Sequence, residues 1–172
     1  MRESINVDVP LKLSGIVKAL ELSQVGMSAS FLAKLVEETL GVSSPNTRSR
    51  YRQAIFRYFV PVESGTVGFS PLAEFFHKVQ DEEARRQVIL FEMVKRNLAF
   101  RRVCIILRNF VDVEINKENV TKAITPLFPS EKAVNKAYEK IMGTLNQFSI
   151  FYHTNAGRRV VLREPDKRSF AY

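Results

Sequence analysis

The sequence predicts a mainly α-helical fold with small β-hairpins, in which two units of the same element order are joined by a helical linker. Three observations carry this reading. Apolar residues recur at helical spacing through most of the chain. Ser44-Pro45, Ser70-Pro71 and Pro129-Ser130 read as helix starts. Two strand–turn–strand signals, around Ser64-Gly65 and in Thr154 to Gly157, each follow a basic helix.

With 172 residues, 45% hydrophobic and 26% charged, the chain can bury one ordinary core or two small ones. Its 26 Lys and Arg against 18 Asp and Glu give +8, which favours an acidic partner such as nucleic acid or an anionic surface. The single cysteine, Cys104, lies in the apolar run VCIIL and reads as a buried small hydrophobe in a reducing compartment. The opening MRESINVDVP has no signal-peptide core, and no charge-free run reaches the roughly 18 residues of a membrane span. The expectation is a soluble, cytoplasmic chain with no membrane contact.

Taken in order, Leu11 to Leu22 reads as a first helix and Gln24 to Met27 as a turn. Ser28 caps a second helix that Gly41 ends. Ser44-Pro45 opens a third, running to Phe59. At 100° per residue, Tyr51, Ala54, Ile55, Tyr58 and Phe59 share its inner face, while Asn46, Ser49, Arg50, Gln53 and Arg57 fall outside. Arg52 sits on the boundary and Arg48 near the helix start, where either can reach a neighbouring backbone. A small hairpin follows at Glu63-Ser64-Gly65, with Pro61 at its edge.

Ser70-Pro71 starts a short helix through Phe76, and Asp81 with Glu82 and Glu83 starts another to about Arg96. Leu98 to Phe110 is a further apolar helix, VDVEI reads as a short strand, and Asn116 or Lys117 opens the next helix. After Pro129-Ser130, Val134, Ala137, Tyr138, Ile141 and Leu145 face inward, and Lys132, Asn135, Lys136, Glu139, Lys140 and Gly143 face outward. The arms FSIFYH and RRVVLRE then flank a basic hairpin carrying His153, Arg158 and Arg159.

The helix-to-hairpin order thus repeats at an offset of about 86 residues, from Ser44 to Ser130. This is winged-helix order, and it divides the chain into a first winged-helix unit (1–69), connecting helices (70–96), a second winged-helix unit (97–164) and a basic tail (165–172). The chain resembles tandem winged-helix proteins. From residue 69 onward it is also similar to the AAA-associated winged-helix domain that follows some ABC-type ATPases, and to winged-helix proteins of defence loci. The matching features are FSPLAEFF, with Ala73 where that family favours glycine, then DEEARRQVILFEMV and SEKAVNKAYEKIM before a hairpin. The resemblance implies the winged-helix fold and DNA contact through third helix and wing, in a regulator or accessory factor of a mobile-element or defence system.

No enzyme motif accompanies this. His77 and His153 lack Cys or His neighbours at metal-ligand spacing, and GxxxxGK[ST], GxGxxG and GxSxG are absent. His77 reads as bordering its helix. The acidic groups Glu37-Glu38 and Asp81-Glu82-Glu83 read as solvated or dipole-complementing positions. Catalytic residues, metal and cofactor are therefore expected to be none.

Residues 1–96 hold 13 basic and 11 acidic side chains, +2, and residues 97–172 hold 13 and 7, +6. Phosphate binding needs Lys or Arg on a rigid element, and base readout needs Arg, Asn or Gln on a helix that fits the major groove. The expected interface with double-stranded DNA comprises Asn46, Ser49, Arg50, Gln53 and Arg57 in the first unit. In the second it comprises Lys132, Asn135, Lys136, Lys140, His153, Arg158 and Arg159. Two other classes compete. One is a tandem winged-helix interaction subunit that binds a protein partner or a second copy through exposed apolar surface. The other is the recognition subunit of a restriction-type enzyme.

Overall fold

Local chemistry sets the first three helices. Lys12 is extended and offers no side-chain cap, so α1 (Leu13–Leu22) starts two residues later than its apolar spacing suggests, with Leu11 buried ahead of it. The Ser28 hydroxyl accepts from the Phe31 N–H at 3.4 Å and opens α2 (Ala29–Thr39). Gly41, at φ +60°, takes the left-handed turn that releases the chain after Leu40. Ser44 accepts from the Thr47 N–H at 3.4 Å and Pro45 supplies the first turn of α3 (Pro45–Phe59). The structure, a computed structural model, describes residues 11–111, 113–154 and 157–160, with the side chains of residues 152–154 outside that description. Residues 1–10 and the expected basic tail 165–172 lie outside the described residues.

Ile16, Leu20, Leu32, Val36, Ile55 and Phe59 form the centre of the first core. Gly15 lets the elements close: a Cβ there would stand 2.6 Å from Leu40 Cδ2 and 2.8 Å from Ile55 Cδ1. The first hairpin, β1 (Val62–Glu63) with β2 (Thr66–Val67), turns through Ser64 and Gly65, both at positive φ, the geometry that matches strand twist in a two-residue turn.

The segment between α1 and α2, expected as a turn alone, also pairs with β2. Gly26 N–H donates to Val67 O at 2.8 Å, Val67 N–H to Met27 O at 2.8 Å, and Ala29 N–H to Gly65 O at 3.0 Å. Ser28 bridges Thr66 in antiparallel sense.

Ser70 caps α4 (Pro71–Lys78) by accepting from Ala73 N–H, and the helix runs two residues past the expected Phe76. Asp81 Oδ1 accepts from Ala84 N–H at 2.9 Å at the start of α5 (Glu82–Arg96). The stretch 70–96, read from sequence as connecting helices, is shared between two compact units, Leu11–Ile89 and residues 90–160, with the division inside α5. In the first unit α4 packs on α1.

The second unit begins with the end of α5. Asn97 interrupts the helical run in extended conformation and caps α6 (Leu98–Leu107) through Phe100 N–H at 3.1 Å. Arg101 donates to the carbonyls of Val94 at 3.2 Å and Lys95 at 2.7 Å, satisfying acceptors that the end of α5 leaves open. Glu92 is fully buried, its two oxygens held by Lys95 at 3.4 Å and Arg96 at 2.6 Å. Arg108–Phe110 forms a 3-10 turn, so the apolar helix is shorter than the expected Leu98 to Phe110.

The described residues of VDVEI, 111 and 113–115, form isolated bridges rather than the expected strand. Val111 makes one parallel bridge to Val160 and Glu114 one antiparallel bridge to Arg159, while Val113 N–H donates back to Phe110 O at 3.3 Å. Bridges of opposite sense and a turn hydrogen bond between them prevent a regular ladder. Asn116 Oδ1 accepts from Glu118 and Asn119 and opens α7 (Lys117–Ile124). Ser130 caps α8 (Glu131–Leu145).

The second hairpin pairs β3 (Phe151–Thr154) with β4 (Gly157–Val160), in register Phe151↔Val160 to Thr154↔Gly157. Its first arm starts later than the expected FSIFYH, because Asn146–Phe148 is a 3-10 turn and Ser149 is left-handed at φ 54°. Phe100, Val103, Val120, Ile124, Ile141, Leu145, Phe151 and Val160 are buried in this unit. Among the described residues the fold is mainly helical, with eight α-helices and two antiparallel two-stranded hairpins.

Arg85 ties together the ends of two helices in the first unit. Only 7% exposed, it donates from Nε to Val79 O at 2.6 Å, from Nη1 to Glu21 Oε1 at 2.9 Å, and from Nη2 to Phe76 O and Gln80 Oε1. Its guanidinium also lies over the Phe76 ring, 4.8 Å from the centroid. Arg85→Ala leaves these carbonyls without their donor and is expected to cost about 2–3 kcal/mol in urea unfolding. Arg85→Lys, which lacks the planar fork, is expected to recover less than half of that loss.

Candidate nucleic-acid interface

The caps that start α3 also set its register. Ile55, Tyr58 and Phe59 are buried and Tyr51 and Ala54 half-buried, so Asn46, Arg50, Gln53 and Arg57 form one exposed stripe at spacings of four, three and four residues. Ser49 is half-buried between stripe and core. Its hydroxyl accepts from Arg52 Nη2 at 3.1 Å and Gln53 Nε2 at 3.4 Å. Arg52 reaches a side chain rather than a neighbouring backbone: its Nε lies 3.1 Å from Glu37 Oε1, which joins α3 to α2. Arg48 is half-buried, and its Nε is enclosed without a hydrogen-bond partner among the described residues.

On α8, Lys132 and Lys136 are exposed, Asn135 and Lys140 half-buried, and Glu139 and Gly143 exposed beside them. Inward are Val134, Ala137, Ile141 and Leu145. Tyr138, expected among them, is only half-buried, and the Lys117 ammonium lies over its ring, 5.5 Å from the centroid. Burial pushes the Tyr138 phenol up, an effect partly offset by the positive charge of Arg158.

Arg158 and Arg159, adjacent on β4, point to opposite faces of the hairpin and do not make one patch. Arg158 is exposed on the face shared with Val160. Arg159 is half-buried, with Nε enclosed and unpartnered among the described residues. The backbone of His153 pairs with Arg158, and its side chain lies outside the described residues. Lys117 on α7 and Tyr138 on α8 therefore come together, a pair that the sequence reading missed.

Glu37 is held by Arg52, and His77 Nε2 hydrogen-bonds Glu21 O at 3.1 Å. Among the described residues no group of three or more His, Cys, Asp or Glu side chains could hold a metal ion, and no helix is long and apolar enough to cross a membrane. No family model, curated protein or solved structure matches the chain.

Cys104, expected to be buried, is half-buried on α6, and desolvation pushes its thiol from 9.0 up to about 12. The raised value means that the reactive thiolate appears only as pH rises well above neutral, so at pH 8 it is about a thousandfold scarcer than in the unfolded chain. Iodoacetamide labelling at pH 8 is expected to be at least about a hundredfold slower for the folded protein than in urea, with the gap closing toward pH 12. Equal rates at pH 8 would show that the thiol is open to solvent.

Proposed function

We propose that the chain is a non-enzymatic duplex-DNA-binding protein composed of two winged-helix units, each presenting its third helix to DNA. One observation supports this above the rest. In each unit the segment between the first two helices pairs with the returning strand of the hairpin, by Met27 with Val67 and by Ile115 with Arg158 at 2.9 Å, and the third helix keeps its polar face in solvent. This shared pairing supports the winged-helix reading of both units.

The units have different tasks in this reading. The α3 stripe of Asn46, Arg50, Gln53 and Arg57 offers side chains suited to base edges in a major groove. The first hairpin, PVESGTV, has no cation and does not join it. In the second unit Lys132 and Lys136 on α8 with Arg158 on β4 are suited to phosphates, and Lys117 lies over the Tyr138 ring on α8.

Fluorescence anisotropy with labelled duplexes across a salt series tests the reading. Four to six phosphate contacts give a slope of log affinity on log salt of about −4 to −5. Lys136→Ala and Arg158→Ala are expected to weaken binding to all duplexes alike and to reduce the slope by about one each. Gln53→Ala is expected to lower discrimination between sequences by about 1–3 kcal/mol while leaving the slope unchanged. A flat salt response in the parent protein overturns the proposal.

A further inference from the structure

The first unit carries a groove unlike the rest of this basic chain. It is about 290 Å³ in volume and lies between the end of α1, the exit of the first hairpin and α4. Val25, Val67, Phe69 and Ala73 give it an apolar floor and walls. Val25 is 70% and Phe69 64% exposed, so two large apolar side chains flank one depression in open water.

Its charge is the second observation. In a protein of net charge +8, no lysine or arginine among the described residues lines the groove. Glu74 lines it, and the Glu63 carboxyl lies at its margin, 3.4 Å from where a Cβ on Gly68 would stand. Glu63 is exposed and has no ion-pair partner among the described residues. Glu74 holds Lys78 at 2.5 Å in a solvent-exposed pair, a contact of small net worth that a competing cation can replace. Phosphate and acidic peptides are disfavoured here by the Glu63 and Glu74 carboxylates, of which only Glu74 has a cation, Lys78, beside it.

We propose that this groove docks a segment of a partner protein that presents an aromatic or leucine side chain beside a lysine or arginine. The apolar side chain enters between Val25 and Phe69, and the cation meets Glu63 or Glu74 at the rim. The groove holds one or two side chains rather than a folded surface, which fits an anchor residue on a peptide. The site is separate from the α3 stripe, so the proposal does not rest on DNA binding.

The test is a displayed library of random peptides of about 12 residues, panned on the full chain, with enriched peptides synthesised, fluorescein-labelled and titrated. Enriched sequences are expected to place Phe, Trp or Leu within about four residues of Lys or Arg. Phe69→Ser and, separately, Val25→Ser are expected to weaken these peptides by about tenfold or more while circular dichroism stays unchanged, because both side chains are already exposed. Glu63→Lys should weaken them in a salt-dependent way, and saturating duplex DNA should leave them bound. No enrichment, enrichment of acidic or uncharged peptides, or unchanged affinity in both serine variants overturns the proposal. Displacement by duplex DNA assigns the groove to nucleic acid, and self-association abolished by Phe69→Ser assigns it to a second copy of the chain, each of which also overturns it.

Discussion

The pairing of an inter-helix segment with the returning hairpin strand is the constraint on which each unit depends. A two-stranded hairpin of two to four residues per arm is marginal in water by itself. In the first unit Gly26 and Met27 hydrogen-bond Val67, and in the second Ile115 hydrogen-bonds Arg158, so the hairpin is tied to the loop that starts the second helix. The helices are fixed from the other side by Ser28 and Asn116, which sit at the junction of pairing segment and helix cap. One short stretch of backbone therefore sets both where the hairpin lies and where the second helix begins. The exposed face of the third helix is what remains after its inner side has packed.

Within the arginine-rich third helix of the first unit, the positive charges divide by environment. Arg52 is held against Glu37 and Ser49, and Arg48 is half-enclosed, whereas Arg50 and Arg57 stand on the exposed stripe. An ion pair at about 30% exposure joins two helices at modest gain, since desolvation and side-chain ordering offset much of the attraction. Its larger effect is directional: it holds Arg52 and Ser49 beside the stripe and leaves Gln53 anchored at its base. In the second unit an aromatic ring meets a cation, with the Lys117 ammonium 5.5 Å from the Tyr138 ring centroid.

What was legible in the sequence is what depends on neighbours along the chain. Ser28, Ser44, Ser70, Asn116 and Ser130 cap the helices they were read as starting, because a cap needs only its own hydroxyl or amide and an N–H two or three residues on. Ser64-Gly65 turned as expected for the same local reason. VDVEI misled because alternating apolar residues look alike whether a partner strand offers a full ladder or two isolated bridges. Arg158 and Arg159 read as one basic pair in the linear sequence, but the alternation of a strand separates them. No spacing rule links Lys117 and Tyr138, or Arg52 and Glu37, since only tertiary packing brings them together. The polar stripe of α3 was legible, and its half-buried neighbours Ser49 and Arg48 were the positions where angular bookkeeping lost resolution.

Gly15 has a reach beyond its own helix. Leu40 and Ile55 occupy the space where its side chain would be, from the end of α2 and the middle of α3. Positions 15, 40 and 55 therefore share a single fixed volume, and none of them can change size independently. In the lineage of such a chain, a larger residue at 15 is tolerated where 40 or 55 has already become smaller, and the order of the two changes is not interchangeable. Substituting 15 first passes through an overpacked core, whereas trimming Ile55 first opens a cavity that the second change then fills.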